Sequence, residues 1–353
     1  MNIFLMAYAR KNLGDDLFVK MLLERYPMHN FYMNTRDLKW LDKLNEYENL
    51  NVSIGEDTDE ELYKHDVNEY DAYIYIGGSI FMEGGKVYNL SEKFYDFVRR
   101  CKENNKPFCY VSSNYGPYQT QEYFELSRKN FEKCTDICFR DKYSYDLFKD
   151  ITSVRYAPDF AFTYEINNED KIDNSVGISI IDLSIRNDLK NLQTEYINCL
   201  VNNIRNYLSS GKKVYLYSFC EYEGDERTLN SILEHFTDKD NIYDIRYDGD
   251  VDKFLNIYSK MEYMICARFH AMILSTIAKQ KMYVISYSNK ITNVINDLEL
   301  NIPVLNFKDV TCNKNIVLDD FVCVENKKIE NIVVEAQGQE EIINIILKNN
   351  RQI

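Results

Sequence analysis

The stretch SKMEYMICARFHAMILSTIAKQKMYVISYSNK, Ser259 to Lys290, decides how the rest of the chain reads. The apolar run Tyr263–Cys266 reads as a buried strand, followed by Arg268, Phe269 and His270. A helix over Ala271–Lys279, a second strand over Lys281–Ser286 and a turn at Tyr287–Lys290 complete the unit. An arginine and one of only four histidines thus stand two residues apart at a strand's carboxyl end, where a helix begins. Open α/β sheets bind ligands outside the carboxyl ends of their strands, and a helix N-terminus favours anions. Arg268 and His270 are therefore a candidate anion-binding and acid–base site. The bland alternative is a structural Arg–carboxylate pair with a capping histidine. The apolar YMIC before Arg268 implies that its charge is paired, with a protein carboxylate or with a ligand. Lys290, at the next strand end, favours function.

Working outward, strands and helices alternate, which argues for an α/β fold with largely parallel sheets. Upstream of the opening stretch lie strands at Ser175–Ile181, Lys213–Phe219 and Ile242–Arg246. Helices are expected at Thr194–Ser209, capped by Thr194 with Gly211 past its end, at Asp225–Phe236 and at Val251–Ser259. The charged, unpatterned NNEDKIDN at Asn167–Asn174 is the best linker candidate. Before it, Ile3–Ala9 is a first strand and a helix runs through Leu17, Met21 and Leu22 to Pro27. Asp71–Ile76, Pro107–Ser112 and Asp136–Phe139 read as strands. Ser91–Lys102, with Phe94, Phe97 and Val98 on one face, and Gln121–Lys133 read as helices. The pattern gives two Rossmann-like domains, 1–170 and 171–353, with strand ends facing across a cleft. A final helix near Glu340–Leu347 packs back on one of them.

The length of 353 residues suits two domains and a sizeable core. A net charge of −14 argues against nucleic acid as a partner, which calls for a basic face. Nine cysteines at irregular spacing read as buried small hydrophobes in a reducing, cytoplasmic compartment. Cys134 and Cys138 have no matching second pair or His motif, so no metal site is expected. No signal peptide and no membrane span are expected. Peripheral association with the inner face of a membrane stays open, as does the oligomeric state.

The first half carries three further strand-end turns. In Asn12-Leu13-Gly14-Asp15-Asp16, Gly14 lets backbone approach a ligand and Asn12 can orient a hydroxyl. The alternative is a tight turn with Asp15 or Asp16 capping the helix. Gly77-Gly78-Ser79 can admit a phosphate or a sugar to the backbone but lacks a dinucleotide or P-loop spacing, and taken alone it reads first as a bare glycine turn. Asn114, in SSNYGPY, caps another strand, again with a plain turn as the alternative. Arg140-Asp141 and Pro158-Asp159 end two short strands, where a structural ion pair is the ordinary reading. Arg186 follows GISIIDLSI, as a cleft cation or a solvated loop residue.

Taken in order, NLGDD, YIGGS, NYGPY, CFRDKYSYDLF, YAPDFAF, CARFHAMILSTIA and VISYSNKITNVINDLEL resemble the polysaccharide pyruvyl transferase family across nearly the whole chain. The chain departs from that pattern at Gly77-Gly78-Ser79, where family members usually carry three glycines, and after IFME, where an acidic residue is often seen. The resemblance implies a glycosyltransferase-B-like fold. It implies transfer of the pyruvyl group of phosphoenolpyruvate to a sugar of a cell-surface glycan or its lipid-linked precursor, as a ketal, with phosphate released. Arg268 and His270 match the family's Arg-x-His at the donor site, Lys290 the lysine after the SY turn, and Arg186 the donor-binding arginine opening the second domain. Asn12, Gly14, Asp15, Gly77, Gly78, Ser79 and Asn114 fall on the acceptor or cleft side. No cofactor is implied beyond phosphoenolpyruvate as co-substrate. Asp15, Glu83 and Asp159 are candidates for the base acting on the second hydroxyl. The alternatives are a nucleotide-sugar-dependent glycosyltransferase of similar fold and a catalytically silent binding protein.

Overall fold

The computed structural model of the chain describes residues 1–8, 10–35, 44–55, 62, 65–84, 90–166 and 170–349. The chain divides into two units. One comprises Met1–Ala9, Asp15–Thr163 and Ile332–Ile353, and the other Arg10–Gly14 and Tyr164–Asn331.

In the first unit, strands β1 (Asn2–Met6), β2 (Asn30–Thr35), β3 (Leu50–Ile54), β4 (Ala72–Ile76), β5 (Phe108–Ser113), β6 (Asp136–Phe139) and β7 (Val154–Tyr156) form one sheet. Their order is β3-β2-β1-β4-β5-β6-β7, and every pairing is parallel. β4 and β5 are buried at every position, as strands covered on both faces must be. Helices Glu92–Glu103, Gln121–Phe131 and Lys142–Phe148 start at Ser91, Thr120 and Asp141. Each of these side chains accepts from a backbone N–H three residues on, worth about 1 kcal/mol per cap. The core is aromatic: Phe94, Phe97, Phe108, Tyr110, Phe131 and Phe148 pack together. Truncating one such ring to Ala costs about 3–5 kcal/mol.

The second unit holds β8 (Ile172–Ile180), β9 (Lys213–Ser218), β10 (Ile242–Arg246), β11 (Met261–Cys266), β12 (Lys281–Ser286) and β13 (Val304–Asn306). The order is β10-β9-β8-β11-β12-β13, again all parallel. Its core is largely aliphatic, built on Val176, Ile178, Leu200, Ile204, Leu216 and Ile265. Each sheet has the doubly wound order in which the chain starts centrally, winds outward one way, and returns to wind the other way.

Several expectations are corrected. β1 stops at Met6, and Ala9 lies outside the described residues. β2 and β3 are too rich in Asn and Ser to stand out as strands, and only Leu50 of edge strand β3 is buried. Of the proposed linker, residues 167–169 lie outside the described residues, and Ile172–Asn174 already belong to β8. The division falls at Thr163, short of residue 170, and the Tyr164 hydroxyl donates to Asp252 of the second unit at 3.2 Å. Thr194 is not an N-cap, because a 3-10 turn at Lys190–Leu192 feeds directly into helix Gln193–Ser209. The Gln193 side chain is used instead, accepting from Leu183 N and donating to Thr228 Oγ1, both at 2.8 Å. Asn289 and Lys290 are not a turn but the first two residues of helix Asn289–Asp297.

The C-terminal segment from Ile332 returns to the first unit. Buried Gln339 accepts from Ser112 N at 2.8 Å and donates to Ala157 O at 2.7 Å, while Arg25 pairs with Glu340 at 2.6 Å.

Candidate functional site

In the second unit the strand order reverses between β8 and β11, the place where doubly wound sheets bind ligands. Arg268 stands there, one residue past β11. Ser179 on β8 fixes it, its hydroxyl accepting from Ala267 N at 2.8 Å and from Arg268 N at 3.3 Å. Arg268 occupies the N-cap of helix Phe269–Ile277 but makes no side-chain cap bond. Its guanidinium turns instead to two carboxylates of the loop after β9. Nη1 donates to Glu223 Oε2 at 2.9 Å, and Nη2 donates to Asp225. Arg268 Nε is buried and has no hydrogen-bond partner among the described residues.

The two carboxylates differ. Asp225 is fully buried, and one oxygen accepts from both Phe219 N and Cys220 N at 3.0 Å. Burial pushes its carboxyl up to about 6, against the opposing pull of Arg268. Glu223 is also subject to a burial penalty, but Arg268, Arg186 and a bond from Asn12 outweigh it and hold its carboxyl below the ordinary glutamate range. Burial works against the Arg268 charge, yet Asp225 and Glu223 more than offset it and keep the guanidinium well above its usual value.

Arg186 belongs to the same group. Its Nη2 lies 3.8 Å from Glu223 Oε2, beyond hydrogen-bond length, and its guanidinium stacks on the Tyr287 ring at 4.4 Å. Arg186 Nε is buried without a hydrogen-bond partner among the described residues. His270 sits in the first turn of the helix after Arg268, which begins at Phe269, two residues earlier than the sequence reading placed it. Lys290 is the second residue of the helix after β12, which pairs in parallel with β11, so both strands lead to their cations at the same end of the sheet.

Arg10–Gly14 join this unit. Leu13 N donates to Phe219 O at 3.1 Å, Lys11 pairs with Glu221 at 2.9 Å, and Asn12 Nδ2 donates to Glu223 Oε1 at 3.1 Å. Asn12 Oδ1 accepts from Gly14 N at 3.1 Å. The backbone of Gly14 lies so close to His270 that a β-carbon there would overlap the imidazole ring. Asn12 and Gly14, expected on the acceptor or cleft side, are thus gathered with Glu223 and His270.

The first unit reverses its strand order between β1 and β4. Gly77-Gly78-Ser79 follow β4, and Asp15 faces them, its Oδ1 lying 3.6 Å from where a Gly77 β-carbon would stand. A β-carbon on Gly78 would overlap the Arg140 guanidinium, so close approach explains this glycine. Arg140 is buried and donates to Asp159 at 2.9 Å and to Asn114 Oδ1 at 2.7 Å. Asp159's other oxygen accepts from Ala161 N at 2.9 Å. Its carboxylate is thus engaged on both oxygens. Glu83 accepts from Gln119 N and from both the backbone and the hydroxyl of Thr120, so it holds a loop.

Sequence reading missed Glu223 and Asp225 as site residues. The signal was CEYEGDE, an acidic loop at the carboxyl end of apolar β9, in the unit whose other candidates are cations. Among the described residues no group of His, Cys, Asp and Glu is arranged to hold a metal ion, and no helix is long and apolar enough to cross a membrane.

Solved structures of similar fold cover the chain almost end to end. A putative UDP-N-acetylglucosamine 2-epimerase from Listeria monocytogenes matches with a TM-score of 0.62 at 11% identity, covering 100% of this chain and 97% of that one. The UDP-GlcNAc 2-epimerase from Neisseria meningitidis, bound to UDP-GlcNAc, matches with a TM-score of 0.62 at 8% identity, covering 99% and 100%. MnaA from S. aureus with UDP matches with a TM-score of 0.61 at 13% identity, covering 100% and 97%. At these identities the likeness establishes the fold, which is glycosyltransferase-B-like. The family model for polysaccharide pyruvyl transferase matches residues 12–289, and the chain belongs to that family.

Proposed function

We propose that this chain transfers the pyruvyl group of phosphoenolpyruvate to two hydroxyls of a sugar in a cell-surface glycan or its precursor, forming a ketal and releasing phosphate. Family membership supports the reaction class. The observation that carries the donor assignment is the group at the β8/β11 reversal: Arg186 has an unfilled guanidinium edge, with His270 and Lys290 delivered to the same end of the sheet.

The chemistry suits these residue types. Phosphoenolpyruvate brings a carboxylate and a phosphate. An arginine fork matches either, and a lysine adds a point charge. His270 as imidazolium gives a proton to the methylene carbon, leaving the adjacent carbon electrophilic. One sugar hydroxyl adds there and loses its proton. Phosphate then departs with the electron pair of its C–O bond, and the second hydroxyl adds and loses its proton. Phosphoenolpyruvate and a diol thus become a ketal and inorganic phosphate, with no cofactor needed. Arg186 and Lys290 offset charge on the departing phosphate. Arg268, its two Nη groups engaged by carboxylates, serves chiefly to hold Glu223 in place. The first unit, with Asp15, Gly77, Gly78, Ser79 and Asn114, is assigned the acceptor.

The test is phosphate release from phosphoenolpyruvate against free and lipid-linked glycans. Acceptor-dependent release that His270→Ala abolishes supports the reading. Turnover that depends on a nucleotide sugar, with no response to phosphoenolpyruvate, overturns it in favour of a glycosyltransferase.

A further inference from the structure

Glu223 and Asp225 stand on either side of Gly224, whose φ of +85° suits a glycine, and yet they are held in opposite ways. Asp225 is saturated by two backbone donors and Arg268 and is fully buried. The Glu223 side chain is 21% exposed, and its Oε2 is shared unequally, 2.9 Å from Arg268 and 3.8 Å from Arg186. Arg186 is oriented by stacking on Tyr287 rather than by Glu223. Its buried Nε has no hydrogen-bond partner among the described residues. Arg268 therefore has a close partner of its own in Asp225, whereas Arg186 has only a distant share of Glu223.

We propose that Glu223 is a specificity-determining, positioning residue: an internal stand-in for the donor's anionic group, occupying the place between Arg186 and Arg268 and competing with incoming anions for Arg186. The inference rests on the reading that this site takes an anionic donor. Two arginines and two carboxylates make the group electrically balanced. An anion wins Arg186 only if it offers better geometry than a carboxylate at 3.8 Å, and this selects donors that fill the fork. Asn12, on Glu223 Oε1, keeps the stand-in from swinging away.

The test is calorimetric titration of the full chain with phosphoenolpyruvate, inorganic phosphate and sulfate. Glu223→Gln keeps an oxygen for Arg268 but removes the competing charge. It is expected to bind all three anions on the order of ten-fold more tightly and to discriminate less among them. Glu223→Asp, which withdraws a charged group from Arg186, is expected to show a smaller tightening, and it serves if the Gln variant does not fold. Unchanged or weaker binding in a folded variant, with wild type still binding phosphoenolpyruvate, overturns the stand-in role and leaves the donor assignment intact. If wild type binds neither phosphoenolpyruvate nor phosphate, the anionic-donor reading falls and takes this inference with it.

Discussion

Both units bring a buried guanidinium to a loop flanking the reversal of strand order, Arg140 reaching Gly78 after β4 from the end of β6 and Arg268 following β11, and the two are used differently. In the first unit Arg140 is closed: Asp159 and Asn114 take its Nη groups, and Asp159 is itself completed by Ala161 N. In the second unit Arg268 is likewise engaged, but it shares Glu223 with Arg186, which keeps an unfilled edge. An arginine at the right topological position is therefore not by itself a ligand site. What separates the two is whether donors are left over once the protein's own carboxylates are counted.

Substitutions can break that comparison. The largest effect is expected from His270→Asn, which should lower acceptor-dependent phosphate release by about 10²–10⁴-fold while phosphoenolpyruvate affinity, measured by calorimetry, is kept. Arg140→Ala leaves Asp159 buried without its charge partner and should cost about 3–5 kcal/mol in urea denaturation. Phosphoenolpyruvate binding by the folded variant should persist, and its loss would show that the two arginines do not have separate jobs. Gly14→Ala and Gly78→Ala should each cost about 1–3 kcal/mol through overlap with His270 and Arg140 respectively. Only the Gly14 variant moves the imidazole, so it should lose turnover out of proportion to stability.

A last effect is in pH dependence. The Asp225 carboxyl is raised to about 6 in the folded chain, against about 4 when unfolded. Between these values the folded state keeps a proton that the unfolded state releases. The contribution to stability is thus full below about pH 4, is lost as pH rises toward 6, and is flat above that. Asp225→Asn should remove this slope, about 2–3 kcal/mol in all, in denaturation midpoints compared across the window.

Much of the fold was legible because buried parallel strands such as AYIYI and KMYVIS are nearly continuous apolar runs. Edge strand β3, mostly solvated, carries no such signal. Arg268, His270 and Lys290 could be picked out because a strand end followed by a helix start is local in sequence. That Arg268 had to be paired was also legible from the YMIC before it. Its partners were not, because Glu223 and Asp225 reach it from a loop 45 and 43 residues away. The placement of Asn12 beside Glu223 spans 211 residues and follows from the fold alone.

The most direct test of the donor assignment is the thermal shift produced by phosphoenolpyruvate in wild type and in Arg186→Ala. A ligand bound only by the folded chain must raise its melting temperature. Wild type should be stabilised progressively up to millimolar phosphoenolpyruvate, and Arg186→Ala should show little or none of that rise. An equal shift in both proteins, or no shift in either, would contradict the assignment of the donor to Arg186.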